Sequence, residues 1–390
     1  MSIIIKNKSV KFTHLIIIQP LGFLYGSAGK FLSPENLVGR SGTSFPPSSA
    51  VLSGVFAYYH QQNQDTFNLN LLHLAGPFWA ENNKPQNFYV PTPFNCLVKK
   101  GTNQISDLLT WNGTEWLNQQ GEQITGKFPK GTWTNISDWH NFNWLNKTVW
   151  MKSEEDDDDN NHSNNYEPWR FLPHLHPRMD TEQRTVNKDV SQGSLFLENA
   201  VQLAPDICLI YLSNTPIKDG WYRFGGESHI VEITCEPLST ETQELLNQPV
   251  GKNFALITPG VWGSNRLSQR QPINLETGNL EKYQQEDPEK TEITNWHVET
   301  LMTERAIPFR YRLGNNQNNQ NQPQHKPHTP KLLSRGRYAV PAGTVYVLET
   351  EINQSWQEWP EDWFPKEGPS LKRWGCGLAL PLENVCSSNS

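Results

Sequence analysis

Two glycines near the C-terminus follow a pair of cations and an indole, in the run Lys372-Arg373-Trp374-Gly375-Cys376-Gly377. Glycine permits backbone angles and close approaches that a Cβ would block. Exposed amides beside basic side chains can hold a phosphate, and an aromatic ring can stack on a base. The run therefore indicates a ligand-binding loop, and its alternative is a plain tight turn that leads into a strand.

Glycines also stand beside a basic residue at the ends of three other predicted strands. The groups are Gly26 and Gly29 with Lys30, Gly39 and Gly42 with Arg40, and Gly225 and Gly226 with Arg223. Backbone amides next to cations hold phosphates without reading a base sequence. The first of these loops has neither the spacing nor the ending of a nucleotide-binding P-loop.

Motifs for covalent or metal-assisted catalysis are missing from the sequence. There is no Gly-x-Ser-x-Gly, no His-Glu-x-x-His and no Cys-x-x-Cys among the 5 cysteines. His174 and His176 lack a third metal ligand nearby, and the consecutive carboxylates 156–159 do not converge on one ion. We therefore predict no catalytic site, no metal site and no cofactor.

Length and composition predict two domains with polar insertions. The chain has 390 residues, of which 36% are hydrophobic, and its mean hydropathy is −0.65. The formal net charge of −7 argues against a non-specific nucleic-acid binder. However, most of this charge lies in the acidic run 152–167, so a basic groove elsewhere is allowed. Without a signal peptide or a membrane-spanning run, we expect a cytoplasmic protein with no membrane contact.

Hydrophobic patterning predicts a strand, a glycine-containing loop and a helix at the start of an α+β domain. The strand covers 12–21, and the helix is capped by Ser48 or Ser49, with Gly54 packed closely on a sheet. A hairpin is predicted over 338–348, around a Pro-Ala-Gly turn. Residues 152–165 and 314–330 have the composition of disordered insertions.

Seven short motifs, in order, resemble the RAMP-superfamily subunit of type III-B CRISPR (Cmr) effector complexes that holds the 5′ tag of the CRISPR RNA. They are Gln19-Pro20-Leu21, Phe45-Pro46-Pro47-Ser48-Ser49, Glu182-Gln183-Arg184-Thr185, Phe224-Gly225-Gly226-Glu227, Leu256-Ile257-Thr258-Pro259, Ala339-Val340-Pro341-Ala342-Gly343 and Gly375-Cys376-Gly377-Leu378. Together they span most of the chain. One departure is Phe23-Leu24-Tyr25-Gly26, where the family usually carries a Phe-Arg-Asp-like element, so Lys30 or Arg40 would have to supply that basic contact.

The resemblance implies an α+β fold of two ferredoxin-like (RRM-like) domains. The first covers 1–192, with a Trp-rich stretch, the acidic insertion 152–165 and a β-hairpin at 170–192. The second covers 193–390, with the Asn/Gln-rich insertion 314–330 and the Gly-rich loop 373–377.

The resemblance also implies a non-catalytic subunit that binds crRNA. Its other partners would be further Cmr subunits, including the large polymerase/cyclase subunit and the backbone RAMP subunit. The RNA-binding residues predicted on this basis are Lys30, Arg40, His176, Arg178, Arg184, Arg223, Gly225, Gly226, Arg373, Gly375 and Gly377.

Two other functions stay open at this point. A RAMP-type endoribonuclease would need a histidine as general base beside bound RNA, and the candidates are His14, His174, His176 and His229. The 15 tryptophans also suit a carbohydrate-binding protein or a glycosidase. A glycosidase needs two carboxylates about 5 to 10 Å apart in a cleft, here one lined by indoles, and it fails if the indoles pack under loops.

Overall fold

The computed structural model describes residues 11–25, 45–63, 67–99, 102–139, 144–150, 167–177, 195–225, 229–263, 268–272, 296–311 and 334–383. The insertions predicted to be disordered, 152–165 and 314–330, lie outside these ranges. Strands predominate, and the α-helices of the described part are α1 (Ser49–Gln62), α2 (Ile136–Trp139) and α3 (Thr240–Asn247). The fold is α+β in class. None of the described helices has the length and apolar character needed to cross a membrane.

The described strands are short, and most contain three to nine residues. In chain order they are β1 His14–Pro20, β2 Leu24–Tyr25, β3 Leu74–Glu81, β4 Tyr89–Pro91, β5 Cys96–Val98, β6 Ile105–Leu108, β7 Thr110–Trp111, β8 Trp116–Leu117, β9 Trp133–Asn135, β10 Trp169–Pro177, β11 Leu195–Leu203, β12 Ile207–Ser213, β13 Gly220–Phe224, β14 His229–Pro237, β15 Gly251–Leu256, β16 Val298–Met302, β17 Ile307–Phe309, β18 Arg337–Ala339, β19 Val345–Ile352 and β20 Ala379–Pro381.

The first large sheet contains seven antiparallel strands in the order β13-β14-β1-β12-β3-β4-β9. Its four strands β14-β1-β12-β3, with α1 between β1 and β3 in sequence, have the arrangement of a βαββαβ unit. However, the second helix of such a unit is missing, because the chain between β12 and β14 forms the edge strand β13 instead.

The second large sheet has the order β16-β19-β15-β20, which is the same arrangement of first, second, third and fourth strands. Short 3₁₀ turns at Trp356–Glu358, Glu361–Trp363 and Leu371–Trp374 lie between β19 and β20, where a βαββαβ unit has a helix. The described residues therefore do not form two complete ferredoxin-like domains, although both sheets have the expected strand order.

The expected boundary at residue 192 is not where the two sheets divide. Strand β12 pairs with β1 and β3, and β14 pairs with β1, so the first sheet continues to Pro237. Strand β11 pairs with β10 in a long hairpin, from Trp169 opposite Leu203 to Pro177 opposite Leu195. A hairpin therefore follows Trp169, but its second strand, Leu195–Leu203, lies wholly outside the expected bounds of 170–192.

Two local predictions are wrong. Strands β18 and β19 do not form a hairpin, because β18 pairs with β17 and β19 pairs with β15 and β16. Helix α1 does begin after Ser48, but Gly54 is exposed and a Cβ there would meet nothing within 4 Å. Close packing of α1 comes instead from Ser49, whose hydroxyl donates to the Gly76 carbonyl across 2.9 Å.

The first sheet is covered by apolar side chains on both faces. On one face, Ile16 and Ile18 belong to a cluster with Leu52 and Phe56 of α1. On the other face, Leu15 and Phe78 belong to a larger cluster that includes the second sheet. The two sheets therefore share one core, and burial of each large apolar side chain contributes about 1.5–3 kcal/mol.

Two polar side chains join the 3₁₀ turns to one another and to the rest of this core. The buried Gln357 accepts from the Phe12 amide and donates to the Leu246 carbonyl, at 3.1 and 3.0 Å. The Lys372 ammonium donates to the carbonyls of Gln357 and Trp359. Burial lowers the pKa of Lys372 to about 8, against a weaker opposite effect of two nearby glutamates.

We predict that, because of this lysine, the free energy of unfolding rises with pH in the alkaline range. Because its folded pKa, about 8, lies below the unfolded value of about 10.4, folding releases a proton between these values, and stability rises with pH there. Urea unfolding of wild type and of Lys372→Met at pH 7 to 10 measures the effect. Wild type should gain on the order of 2–3 kcal/mol relative to the variant. Parallel curves for the two proteins would contradict the prediction.

Candidate nucleic-acid interface

The glycine loop near the C-terminus uses its backbone amides inside the protein. The amides of Gly375 and Cys376 donate to the carbonyls of Lys372 and Leu371. The Gly377 amide donates to the Pro259 carbonyl at 2.8 Å. The next amide, of Leu378, donates to the Thr258 hydroxyl at 2.8 Å. No amide from 375 to 378 is left to bind a phosphate, so the geometry favours the tight-turn alternative.

Both loop glycines approach other parts of the protein closely. They adopt left-handed angles, with φ of +70° at Gly375 and +63° at Gly377. A Cβ on Gly375 would lie 2.5 Å from the Ala75 Cα, and one on Gly377 would lie 2.5 Å from a ring carbon of Trp262. The close approach expected from the sequence is therefore to β3 and to Trp262 of the shared core.

Arg373 is also occupied within the protein. Its side chain is nearly buried, with 9% of the residue exposed. Its guanidinium donates to the carbonyls of Leu69 and Leu72 and to the Asn70 side chain. These contacts correct the expectation that Arg373 faces RNA, because its side chain is nearly buried and three of its five N–H donors are bonded within the protein.

Several predicted RNA-binding residues lie outside the described part of the chain. They are Lys30, Arg40, Arg178, Arg184 and Gly226. His176 lies in β10, opposite Phe196 of β11. Their roles therefore stay predictions.

Arg223 and Gly225 are the predicted residues that the structure places at an accessible surface. Arg223 is exposed on the edge strand β13, and Gly225 follows at the turn, with φ of +78° and open space around it. Side chains alternate between the two faces of a strand. Because Phe224 is buried beside α1, Trp221 and Arg223 lie together on the opposite face.

Cross-strand pairing shows which residues share that face. Trp221 lies opposite Glu232 of β14, and Glu232 lies opposite Gln19 of β1. Arg223 lies opposite Ile230. We call the surface formed by Gln19, Trp221, Arg223, Ile230 and Glu232 the sheet-end surface.

The sheet-end surface is the part of this face that the second sheet leaves uncovered. Further along β1, Leu15 and Ile17 are buried in the shared core, with at most 8% of either residue exposed. By contrast, Trp221 is 73% exposed and Ile230 is 42% exposed. Neither Arg223 nor Glu232 forms an ion pair or a side-chain hydrogen bond with any described residue.

Sequence reasoning missed Trp221, although a signal was present. The run Trp221-Tyr222-Arg223-Phe224 alternates, so the indole and the guanidinium share a face if the run is a strand. The other 14 tryptophans give the contrast, because all of them are described and all are buried or half-buried. One cluster in the shared core contains Trp262, Trp296 and Trp359, whose rings contact one another.

This burial argues against the carbohydrate alternative, because 7 of these 14 indoles are buried and the other 7 are half-buried.

The ribonuclease alternative gains no support from the described histidines. His14 bonds the neighbouring Thr13 hydroxyl at 2.8 Å, and burial lowers its pKa. His174, on β10, contacts the Phe23 ring edge-on with 5.8 Å between ring centres.

A comparison with protein-family models agrees with the resemblance seen in the sequence. A family model described as "CRISPR-associated protein (Cas_Cmr3)" matches residues 26–384. No curated protein matches the chain. Among solved structures, two of the Type III-B Cmr-beta bound to cognate target RNA, one of them also with AMPPnP, are 12% identical, with TM-scores of 0.42 and 0.43. Each comparison covers 85% of this chain and 86% of the other. A chain from a crystal structure of the Csm1-Csm4 cassette with pppApA is 9% identical, with a TM-score of 0.30, 85% of this chain covered and 97% of that one.

We predict that Gly377→Ala destabilises the protein far more than Gly225→Ala. Both positions have left-handed angles, which cost about 1–2 kcal/mol with a Cβ. Only the Gly377 variant also forces a methyl group against Trp262, which adds about 1–3 kcal/mol. Thermal melting of the two variants measures the difference. Equal melting temperatures would contradict the prediction, because they would show that a methyl group at residue 377 does not destabilise the protein through its contact with Trp262.

Proposed function

The chain belongs to the Cas_Cmr3 family of CRISPR-associated proteins, and from this premise we propose that it is a non-catalytic RNA-binding subunit of a type III-B effector complex. In this role it anchors the 5′ tag of the crRNA and helps to assemble the complex in the cytoplasm for RNA targeting. The observation that carries the proposal is the family match over 26–384. The seven ordered motifs of the sequence agree with it.

The sheet-end surface supports RNA contact without catalysis. It presents one indole, one guanidinium and one carboxylate on a flat strand surface. A cation placed this way attracts phosphate, and an exposed aromatic ring stacks on bases of any sequence.

The hairpin β10–β11 is a second element that we assign to RNA. Near its outer end Leu175 is exposed, and residues 178–194 connect the two strands. These residues include Arg178 and Arg184, which the family resemblance assigns to RNA binding. We propose that the hairpin and the sheet-end surface contact the crRNA, and that other surfaces bind the large polymerase/cyclase subunit and the backbone RAMP subunit.

Purification of the tagged protein from its host, followed by sequencing of bound small RNA, tests the proposed function. The expected result is a set of CRISPR RNAs that share one 5′ end, together with the partner subunits. The purified complex should not cleave labelled crRNA at a defined site. Recovery of no small RNA would overturn the proposal, and site-specific cleavage that His176→Ala abolishes would favour the ribonuclease alternative.

We predict opposite effects for substitutions at two arginines. Arg223→Ala removes an exposed cation, so it should weaken crRNA binding at low salt and reduce the salt dependence by about one phosphate contact, with little change in melting temperature. Arg373→Lys keeps the charge but cannot bond three acceptors in the guanidinium geometry. It should cost about 1–3 kcal/mol of stability and leave the salt dependence unchanged.

The measurements are melting curves and crRNA affinity at several salt concentrations, made in the reconstituted complex. A wild-type salt dependence in Arg223→Ala together with a reduced one in Arg373→Lys would reverse the assignment. In that case the glycine loop, and not the sheet end, would contact RNA.

A further inference from the structure

The chemistry of the sheet-end surface is more selective than a phosphate contact requires. Gln19, Glu232 and Trp221 lie in one row across β1, β14 and β13. Directly opposed residues in antiparallel strands share a face, with Cβ atoms about 4.5–5.5 Å apart. The Glu232 side chain therefore leaves the sheet next to that of Trp221, and the Gln19 side chain leaves it on the other side of Glu232.

The positive charge of this surface, on Arg223, lies in the row next to the one that contains the negative charge of Glu232. Ile230 and Arg223 lie opposite each other, next to the row that contains Trp221. A phosphate is attracted by Arg223 and repelled by Glu232, so the RNA backbone should lie over the arginine. A base attached there can rest on the indole and Ile230, with its hydrogen-bonding edge turned toward the carboxylate.

A carboxylate selects among bases by their donors. An ionised carboxylate accepts only, and its two oxygens can take two parallel hydrogen bonds. Guanine presents two adjacent donors on one edge, N1–H and the N2 amino group. Adenine and cytosine present one amino group next to an acceptor, and uracil presents one imino N–H between two acceptors. Guanine is therefore the base that matches both the indole and the carboxylate.

We infer that the sheet-end surface binds an unpaired guanine of single-stranded RNA, with Trp221 stacked on the base, Glu232 bonded to its N1–H and N2 amino group, and Arg223 on the adjoining phosphate. This inference rests on the proposed function, because it assumes that RNA is the ligand. It adds a base preference and two residues, Trp221 and Glu232, that neither the motifs nor the family match assigns.

The structure supplies its own probe for this site. Trp221 is the one exposed tryptophan of the 15, so acrylamide quenching of the intrinsic fluorescence reports mainly on it. The full chain is titrated with the RNA tetramers UUGU, UUAU, UUCU and UUUU at low salt, and a Trp221→Phe variant gives the background. The expected result is protection from acrylamide in wild type and none in the variant. UUGU should bind about tenfold more tightly than UUUU.

Two substitutions separate the roles of the side chains. Glu232→Gln replaces one acceptor by a donor, so it should abolish the guanine preference while leaving UUUU affinity at or above the wild-type value. Trp221→Ala should weaken all four tetramers by about tenfold, measured by fluorescence anisotropy of labelled RNA. Glu241→Gln, at an exposed position on α3, is the matched control and should change nothing. Melting curves confirm that the variants fold.

Equal affinity for the four tetramers, or no protection of Trp221 at millimolar RNA, overturns the inference. If crRNA still co-purifies with the protein in that case, the guanine site fails and the proposed function stands. If no crRNA co-purifies but UUGU is preferred, the site stands and the proposed role in the effector complex fails. Loss of the preference in Glu241→Gln as well would show that the effect is not local, and would also overturn the inference.

Discussion

The contact of the glycine loop with β3 is the constraint on which the arrangement of the two sheets depends. Gly375 lies against the backbone at Ala75 of the first sheet, and Gly377 lies against Trp262 in the shared core. Arg373 adds bonds to the carbonyls of Leu69 and Leu72, just before β3. The two glycine contacts leave no room for a larger residue. The bonds of Arg373 need the geometry of a guanidinium. The loop is therefore the point where both sheets are fixed to each other.

This constraint also determines where a ligand can bind. The second sheet covers the middle of the first sheet at Leu15 and Phe78, so the face of the first sheet opposite α1 is buried there. The edge strand β13 and the end of β14 extend beyond the cover. Trp221 and Arg223 are exposed for that reason, whereas the tryptophans near the loop are enclosed.

The sequence predicted one feature through the family resemblance and another through local pattern. The strand order of both sheets agrees with the family resemblance, and α1 begins after Ser48 as the proline and serine pattern indicates. The resemblance did not show that β13 and the 3₁₀ turns lie where the second helix of each βαββαβ unit was expected. Similarly, β18 and β19 have the pattern of a hairpin, and only tertiary pairing sends them to different sheets.

The candidate site also depends on tertiary contacts that the sequence alone does not predict. Glycines beside cations at 373–377 and at 223–226 look alike in sequence, and glycine geometry is unusual at both Gly225 and Gly377. What separates them is the partner of each amide and cation, which depends on residues 100 or more positions away, such as Leu72 and Pro259. Of the described glycines and arginines in these two runs, Gly225 and Arg223 face open space or solvent.

Ultraviolet cross-linking of the assembled complex to its crRNA, with mass spectrometry of the linked peptides, tests the central claim most directly. We predict cross-links on the peptide that contains Trp221 and Arg223, and none on the peptide that contains Trp374 and Cys376. Cross-links on the second peptide, with the first unmodified, would contradict the account and return the RNA to the glycine loop.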